Sequence, residues 1–203
     1  NQSDRYQYIL PYYNFDKIIS KNLLNGNISF NSSGNNVLDS TNKLETNITN
    51  NFTYNSLDYI TNFGFKNNFG LNLKNLNSIG KKTSKYKSTP QVELVSLYNA
   101  DISLPLIKKT KKSKNFLTPK LSLRFNPHDM KNYSNSARNI DAHNVFSINR
   151  LGLSDTLESG KSLTLGLDYS NEQKNNLNEI NNYFELKLAT VLRDKVEKFV
   201  PNK

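Results

Sequence analysis

Between residues 162 and 169 the chain reads Ser162-Leu163-Thr164-Leu165-Gly166-Leu167-Asp168-Tyr169. The odd positions are apolar and the even ones small or polar. Side chains alternate faces along a β-strand, so this stretch predicts a strand with one greasy and one wet face. The pattern recurs outward from it. In 117–125 Leu117, Leu121, Leu123 and Phe125 alternate with Thr118, Lys120, Ser122 and Arg124. In 183–192 Phe184, Leu186, Leu188 and Leu192 alternate with Glu185 and Lys187. In 61–74 Phe63, Phe65, Phe69, Leu71 and Leu73 oppose Lys66, Asn68, Asn72 and Lys74. In 43–54 Leu44, Ile48, Phe52 and Tyr54 oppose Lys43, Glu45, Asn47, Thr49, Asn51 and Thr53. In 92–106 Val92, Leu94, Tyr98, Ile102, Leu104 and Leu106 share one face. Glu93, Asn99, Asp101 and Ser103 share the other, joined there by Val95 and Leu97. Weaker candidates are 5–13, 26–31 and 143–150. The expectation is about nine antiparallel strands and no helix.

The links between these strands alternate in length. The polar loop 32–41, the basic loop 75–90 and the loop 126–142 are long. The turn 55–58 and the link 107–114 are shorter, 151–160 is intermediate and 171–182 is long. Short turns at one end and long loops at the other are a sign of an outer-membrane β-barrel. Several strands exceed the roughly 9–11 residues that cross a bilayer at a tilt. A soluble antiparallel sheet with one dry face gives the same alternation, but its strands are usually shorter.

Composition agrees. Apolar residues make up only 35% of the 203, yet there are 11 Tyr and 11 Phe. A disordered chain is poor in aromatics. In a barrel only the outward face must be apolar, because a water-filled lumen accepts Asn, Ser, Thr and Lys on the other. The formal charge is +10, Cys is absent, and no stretch, the mostly apolar Ile102 to Ile107 included, is long enough for a membrane helix. The basic stretches 81–87 and 108–114 contain one aromatic, Tyr86, and no fold for base readout accompanies them, so nucleic acid is not the expected partner. Alternation places 81–87 outside the cell and 108–114 in the periplasm. Pro105 and Pro119 are expected at strand ends near the 107–114 link, where a missing donor is tolerated. Pro11 weakens pairing in the first strand.

No catalytic set emerges. His143 and Ser147, with Asn149 next along, would lie about 13 Å apart in a strand, beyond hydrogen-bond reach. His128-Asp129 supplies two ligands, short of a metal site. No cofactor and no enzymatic activity are expected. The charges on the wet face are the candidate functional residues: Lys43, Glu45, Lys66, Lys74, Glu93, Asp101, Lys120, Arg124, Asp168, Glu185 and Lys187.

Several segments, taken in order, resemble the barrel region of the LptD family of outer-membrane lipopolysaccharide-assembly proteins (also called OstA or Imp). They are Ile9-Leu10-Pro11-Tyr12-Tyr13-Asn14-Phe15, Asn25-Gly26-Asn27-Ile28-Ser29-Phe30, Ser103-Leu104-Pro105-Leu106, Leu117-Thr118-Pro119-Lys120-Leu121, Phe146-Ser147-Ile148-Asn149-Arg150 and Glu158 to Tyr169. The resemblance implies a barrel of about two dozen strands, of which residues 1–203 supply about a third. Residues 1–13 would be its first strand or the end of a preceding periplasmic domain. The implied work is placing lipopolysaccharide in the outer leaflet of the cell outer membrane. The implied partners are lipopolysaccharide, outer-membrane lipid, an LptE-like plug lipoprotein and an LptA-like periplasmic bridge protein. Pro11 is the position that the resemblance suggests as weakening the seam through which lipid leaves. The wet-face charges would then touch the lipopolysaccharide head group or the plug. Other readings are a porin or receptor barrel, or a soluble Asn-rich β-sandwich adhesin.

Overall fold

The computed structural model describes residues 7–23, 25–39, 42–175 and 179–201. It is all-β: ten strands in one antiparallel sheet. The long strands are β1 (Gln7–Leu23), β2 (Gly26–Asp39), β3 (Lys43–Ser56), β5 (Lys66–Lys81), β6 (Gln91–Ser103), β8 (Ser113–Asn126), β9 (Gly160–Lys174) and β10 (Ile180–Arg193). Two short ones, β4 (Tyr59–Ile60) and β7 (Leu106–Lys109), pair locally with β5 and β8. Each long strand lies beside the next in sequence. Among the described residues β1 pairs only with β2 and β10 only with β9, so the sheet is open and does not close into a barrel.

Three expectations are corrected. Residues 32–39 and 75–81 are strand, not loop. Polar residues fall on both faces there, and the few apolar ones, Val37, Leu38, Leu76 and Ile79, are split between the faces, which hides the alternation; side-chain amides link the strands instead. Asn47 donates to Asn35 at 2.6 Å, Thr46 to Asn36 at 2.7 Å, and Asn50 to Asn75 at 3.1 Å. Residues 143–150 form turns rather than a strand. The links 126–142 and 151–160 therefore merge into one long excursion, residues 127–159, called here the insert. The alternating loop lengths reduce to this one feature: β2 ends and β3 begins at its end of the sheet, as do β5 and β6, while the 57–65 and 104–112 links and the end of β9 lie at the other, the hairpin end.

The prolines follow ladder logic. Pro119 lies well inside β8, not at its end, where the strand changes partner from β7 to β6. Its carbonyl accepts from the Leu104 N–H at 3.1 Å. Its ring nitrogen therefore faces the break between β6 and β7 at Leu104-Pro105, where no ladder bond is lost. Pro11 occupies an irregularity of β1, since the register shifts between Ile9 and Tyr12.

Candidate functional site: two unlike faces and an insert

Register sorts the side chains. All eleven candidate charges fall on one face, as the direct pairs Gly80–Glu45, Asp101–Ser122, Arg124–Ser162, Thr118–Asp168 and Asp168–Lys187 require. The opposite face is apolar and exposed. Phe69, Tyr98, Leu123, Phe125, Leu165, Leu186, Leu188 and Leu192 are each at least 40% accessible there.

The apolar residues form a band oblique to the strands. Phe69, Ala100, Leu123, Leu163 and Leu192 stand level across β5, β6, β8, β9 and β10. From that row the apolar run on β9 continues through Leu165 and Leu167 to Tyr169, toward the hairpin end. On β5 it runs the other way, through Leu71 to Leu73, with Tyr54 and Phe52 of β3 alongside. Its midpoint drifts roughly five residues over three strand spacings, about 16 Å along against about 14 Å across, an angle near 45°. Polar residues bound it: Lys161 and Asn171 on β9, Asn67 and Asn75 on β5. At that tilt the bounds stand roughly 19–23 Å apart in height, close to the ~25 Å apolar belt of outer-membrane barrels. Ring pairs mark its edges. Tyr98 and Phe125 stack at 6.2 Å near one, where the Lys161 ammonium lies 5.5 Å from the Phe125 ring. Tyr169 and Phe184 lie 6.2 Å apart near the other.

The insert covers the polar face. The chain leaves the sheet at Asn126 and returns opposite it at Gly160, whose φ of 82° a side chain would resist. The insert is irregular backbone, so its carbonyls need donors, and the wall supplies them. The Lys74 ammonium donates to Ser154 O at 3.0 Å and reaches Leu153 O and Thr156 O at 3.4 Å. The Arg124 guanidinium donates to Ser147 O at 2.6 Å and to Ile148 O. Asn126 donates to Leu157 O and Glu158 O. Phe146 seats against Gly166, where any Cβ would lie 2.5 Å from its ring.

Two apolar clusters complete it. Val95 and Leu97, apolar residues of β6 on the wet face, bury against Leu157 and Ile148. Met130, Leu151 and Leu153 pack with Val200, which follows β10. At the centre Arg150, its side chain fully buried, holds both oxygens of Glu158, at 2.7 and 2.6 Å, and reaches Thr164 and Ser162 of β9. Arg193 at the end of β10 reaches the same carboxylate at 2.5 Å.

Lys74 and Arg124 thus serve as anchors of the insert rather than as free lumen charges. The others are paired differently. Lys120 forms an ion pair with Asp168, Lys187 with Glu185 at 3.0 Å, and Lys66 with Asp58 at 2.9 Å. Glu45 accepts from Thr83 at 2.6 Å and lies 3.4 Å from Lys43. Asp101 accepts from Asn99 at 2.8 Å, and Glu93 is exposed. His143 sits in a turn capped by Asp141, and the Asn149 side chain bonds the Leu153 backbone, so no Ser–His–Asn set forms. Among the described residues no three His, Cys, Asp or Glu side chains gather as metal ligands.

Arg150, Glu158 and Arg193 were not among the expected site residues. The sequence signal for them was indirect: Val95 and Leu97 facing the wrong way required an apolar cover.

Burial would raise the Glu158 carboxyl, but its hydrogen bonds from Arg150 and the charges of Arg150, Arg193 and Arg124 outweigh that and hold it below the ordinary range. Asp155 is likewise held low: burial opposes, while the hydrogen bond from Tyr133 and the Lys131 charge prevail. Burial, followed by its 2.6 Å bond to Asp155, pushes the Tyr133 hydroxyl up to about 12. A carboxyl depressed on folding stabilises the fold above its unfolded value and ceases to do so as pH falls through its folded value. Docking of the insert is therefore expected to hold from pH ~5 upward and to weaken in stronger acid. Proteolysis at pH 6 and at pH 3 with an acid-tolerant protease reads this as new cleavage confined to 127–159 at pH 3.

No model of a known protein family matches the chain, and no curated protein matches it.

Proposed function

We propose that this chain is part of the wall of an outer-membrane barrel, with the apolar band against lipid and the charged face toward a hydrated lumen narrowed by the insert. The observation that carries the reading is the obliquity of the band. A soluble sheet has no cause to expose an aliphatic belt across its strands at about 45°, whereas strands tilted in a bilayer must. The free backbone edges of β1 and β10 would be intolerable in lipid, so in the membrane they pair with further strands. The task that fits best is transport of lipopolysaccharide into the outer leaflet. The segments resembling LptD barrels support that cargo, as does a lumen face carrying both signs of charge, which suits phosphate and sugar. Pro11, at the register shift of β1, would weaken pairing there, as a seam for such release requires. An LptE-like plug and an LptA-like bridge would be its partners.

The test has two arms. The chain holds no Trp, so Leu123→Trp and Leu165→Trp report their surroundings without background. Quenching of both by brominated acyl chains is expected, and full quenching by aqueous iodide instead would sink the barrel. Photo-crosslinkers at Glu93 and Glu185 then test the cargo. Adducts with lipopolysaccharide are expected in vivo. A barrel that forms none fits a porin or receptor.

A further inference from the structure

The insert and the band leave the lysine-rich stretch 108–114 unused. The hairpin of β7 and β8 lies at the hairpin end, and its tip carries Lys108, Lys109, Lys111 and Lys112, all exposed, followed by Lys114. Its turn is fixed: Thr110 N–H donates to Ser113 O at 2.8 Å, and the two hydroxyls lie 2.8 Å apart. The Lys174 N–H donates to Lys112 O at 2.8 Å, tying the tip to β9.

Position gives this charge its meaning. Leu106 stands level with Leu117, Tyr169 and Leu186, the last apolar row of the band. Lys108, on the band's own face opposite Asn115, follows it by two residues, and Lys109, on the polar face opposite Lys114, by three, roughly 7–10 Å along the strand. That is head-group depth, within a Debye length of the lipid surface. The carboxylates nearby are Glu172, opposite Lys114, and Glu179, which accepts from Asn175. Neither is paired with the four lysines of the tip in a salt bridge, and they leave the hairpin strongly cationic.

We propose that this lysine hairpin binds the anionic phospholipid head groups of the leaflet bordering the hairpin end. The inference rests on the barrel reading and names a lipid contact that the reading does not require. Phosphatidylglycerol and phosphatidylcholine differ in head-group charge, so they isolate the effect. Each lysine near an anionic surface contributes about a fivefold preference at most, and screening lowers the sum.

The protein is reconstituted in phosphatidylcholine with trace spin-labelled phosphatidylglycerol or spin-labelled phosphatidylcholine, and the lipid held at its surface is measured by electron spin resonance. A preference of threefold or more for phosphatidylglycerol at 50 mM salt is expected, falling to near parity at 1 M salt. The variant K108Q/K109Q/K111Q/K112Q is expected to be near parity at both. A preference that the variant retains, or none in the parent, overturns the assignment while the barrel stands. Absence of any surface-held lipid overturns both. Tyr169→Ala, at the band edge, leaves the lysines in place and is expected to keep the preference.

Discussion

With the band against lipid as proposed, replacing Leu165 by arginine is expected to stop the protein from assembling in the membrane, or to lower its folded stability there by about 2–4 kcal/mol, the cost of a cation on the lipid face near midplane. Leu165 lies mid-band on β9, between Leu163 and Leu167, and is 40% exposed. The same change on the surface of a soluble sheet would shift stability by no more than ~0.5 kcal/mol. The two environments thus differ in outcome rather than in degree. Urea unfolding in lipid vesicles measures it, with Thr164→Arg on the opposite face as a contrast: Thr164 is fully buried beside Arg150, so that change breaks the insert instead of the lipid contact. Near-wild-type stability of Leu165→Arg would exclude a lipid-facing band.

Glu158→Ala is the second large effect. It leaves the Arg150 guanidinium, with no exposed surface, without its bidentate acceptor, and deprives Arg193 of the same partner. Removing one member of a buried pair costs about 3–5 kcal/mol, because the remaining charge stays out of water. The loss should fall on the insert, since Arg150 and Glu158 both belong to it. Protease cleavage within 127–159 and a wider conductance in planar bilayers are the readouts. The double variant with Arg150→Met removes both charges and is expected to recover much of the loss. If Glu158→Ala alone leaves cleavage and conductance unchanged, the cluster is not what holds the insert.

The faces were legible because alternation is a local property. Leu163, Leu165 and Leu167 announce their side without knowledge of any neighbour. Where both faces are polar, as at Asn35 and Asn36, or where the apolar residue turns to the wet face, as Leu76 does between Asn75 and Asn77, the period vanishes though the strand does not. These residues lie past the apolar band on β2 and β5, so nothing demanded a greasy side chain outward. The stretch 143–150 failed for the opposite reason. Phe146 and Ile148 stand two residues apart, an interval a strand could use, but they serve contacts in a run of turns, and periodicity alone does not separate the two. Arg150 and Glu158, eight residues apart, carry no marking that they meet. Their pairing exists only once β9 and β10 supply Ser162, Thr164 and Arg193 around them. Openness of the sheet is a matter of which edges find partners, and no residue pattern within β1 or β10 states that.

The point where Asn126 faces Gly160 sets an order of events for folding. Every other neighbouring pair of long strands is joined by a link of about ten residues or fewer and can zip from its turn. The β8–β9 pair must first close a loop more than three times longer, at a modest entropic penalty that is paid before any ladder bond forms. Arg193 and Val200 then find their partners only on a segment already collapsed. Maturation should accordingly proceed from the amino-terminal meander, with the last two strands annealing late, and a ribosome or chaperone that releases the chain early would leave β8 as a temporary sticky margin.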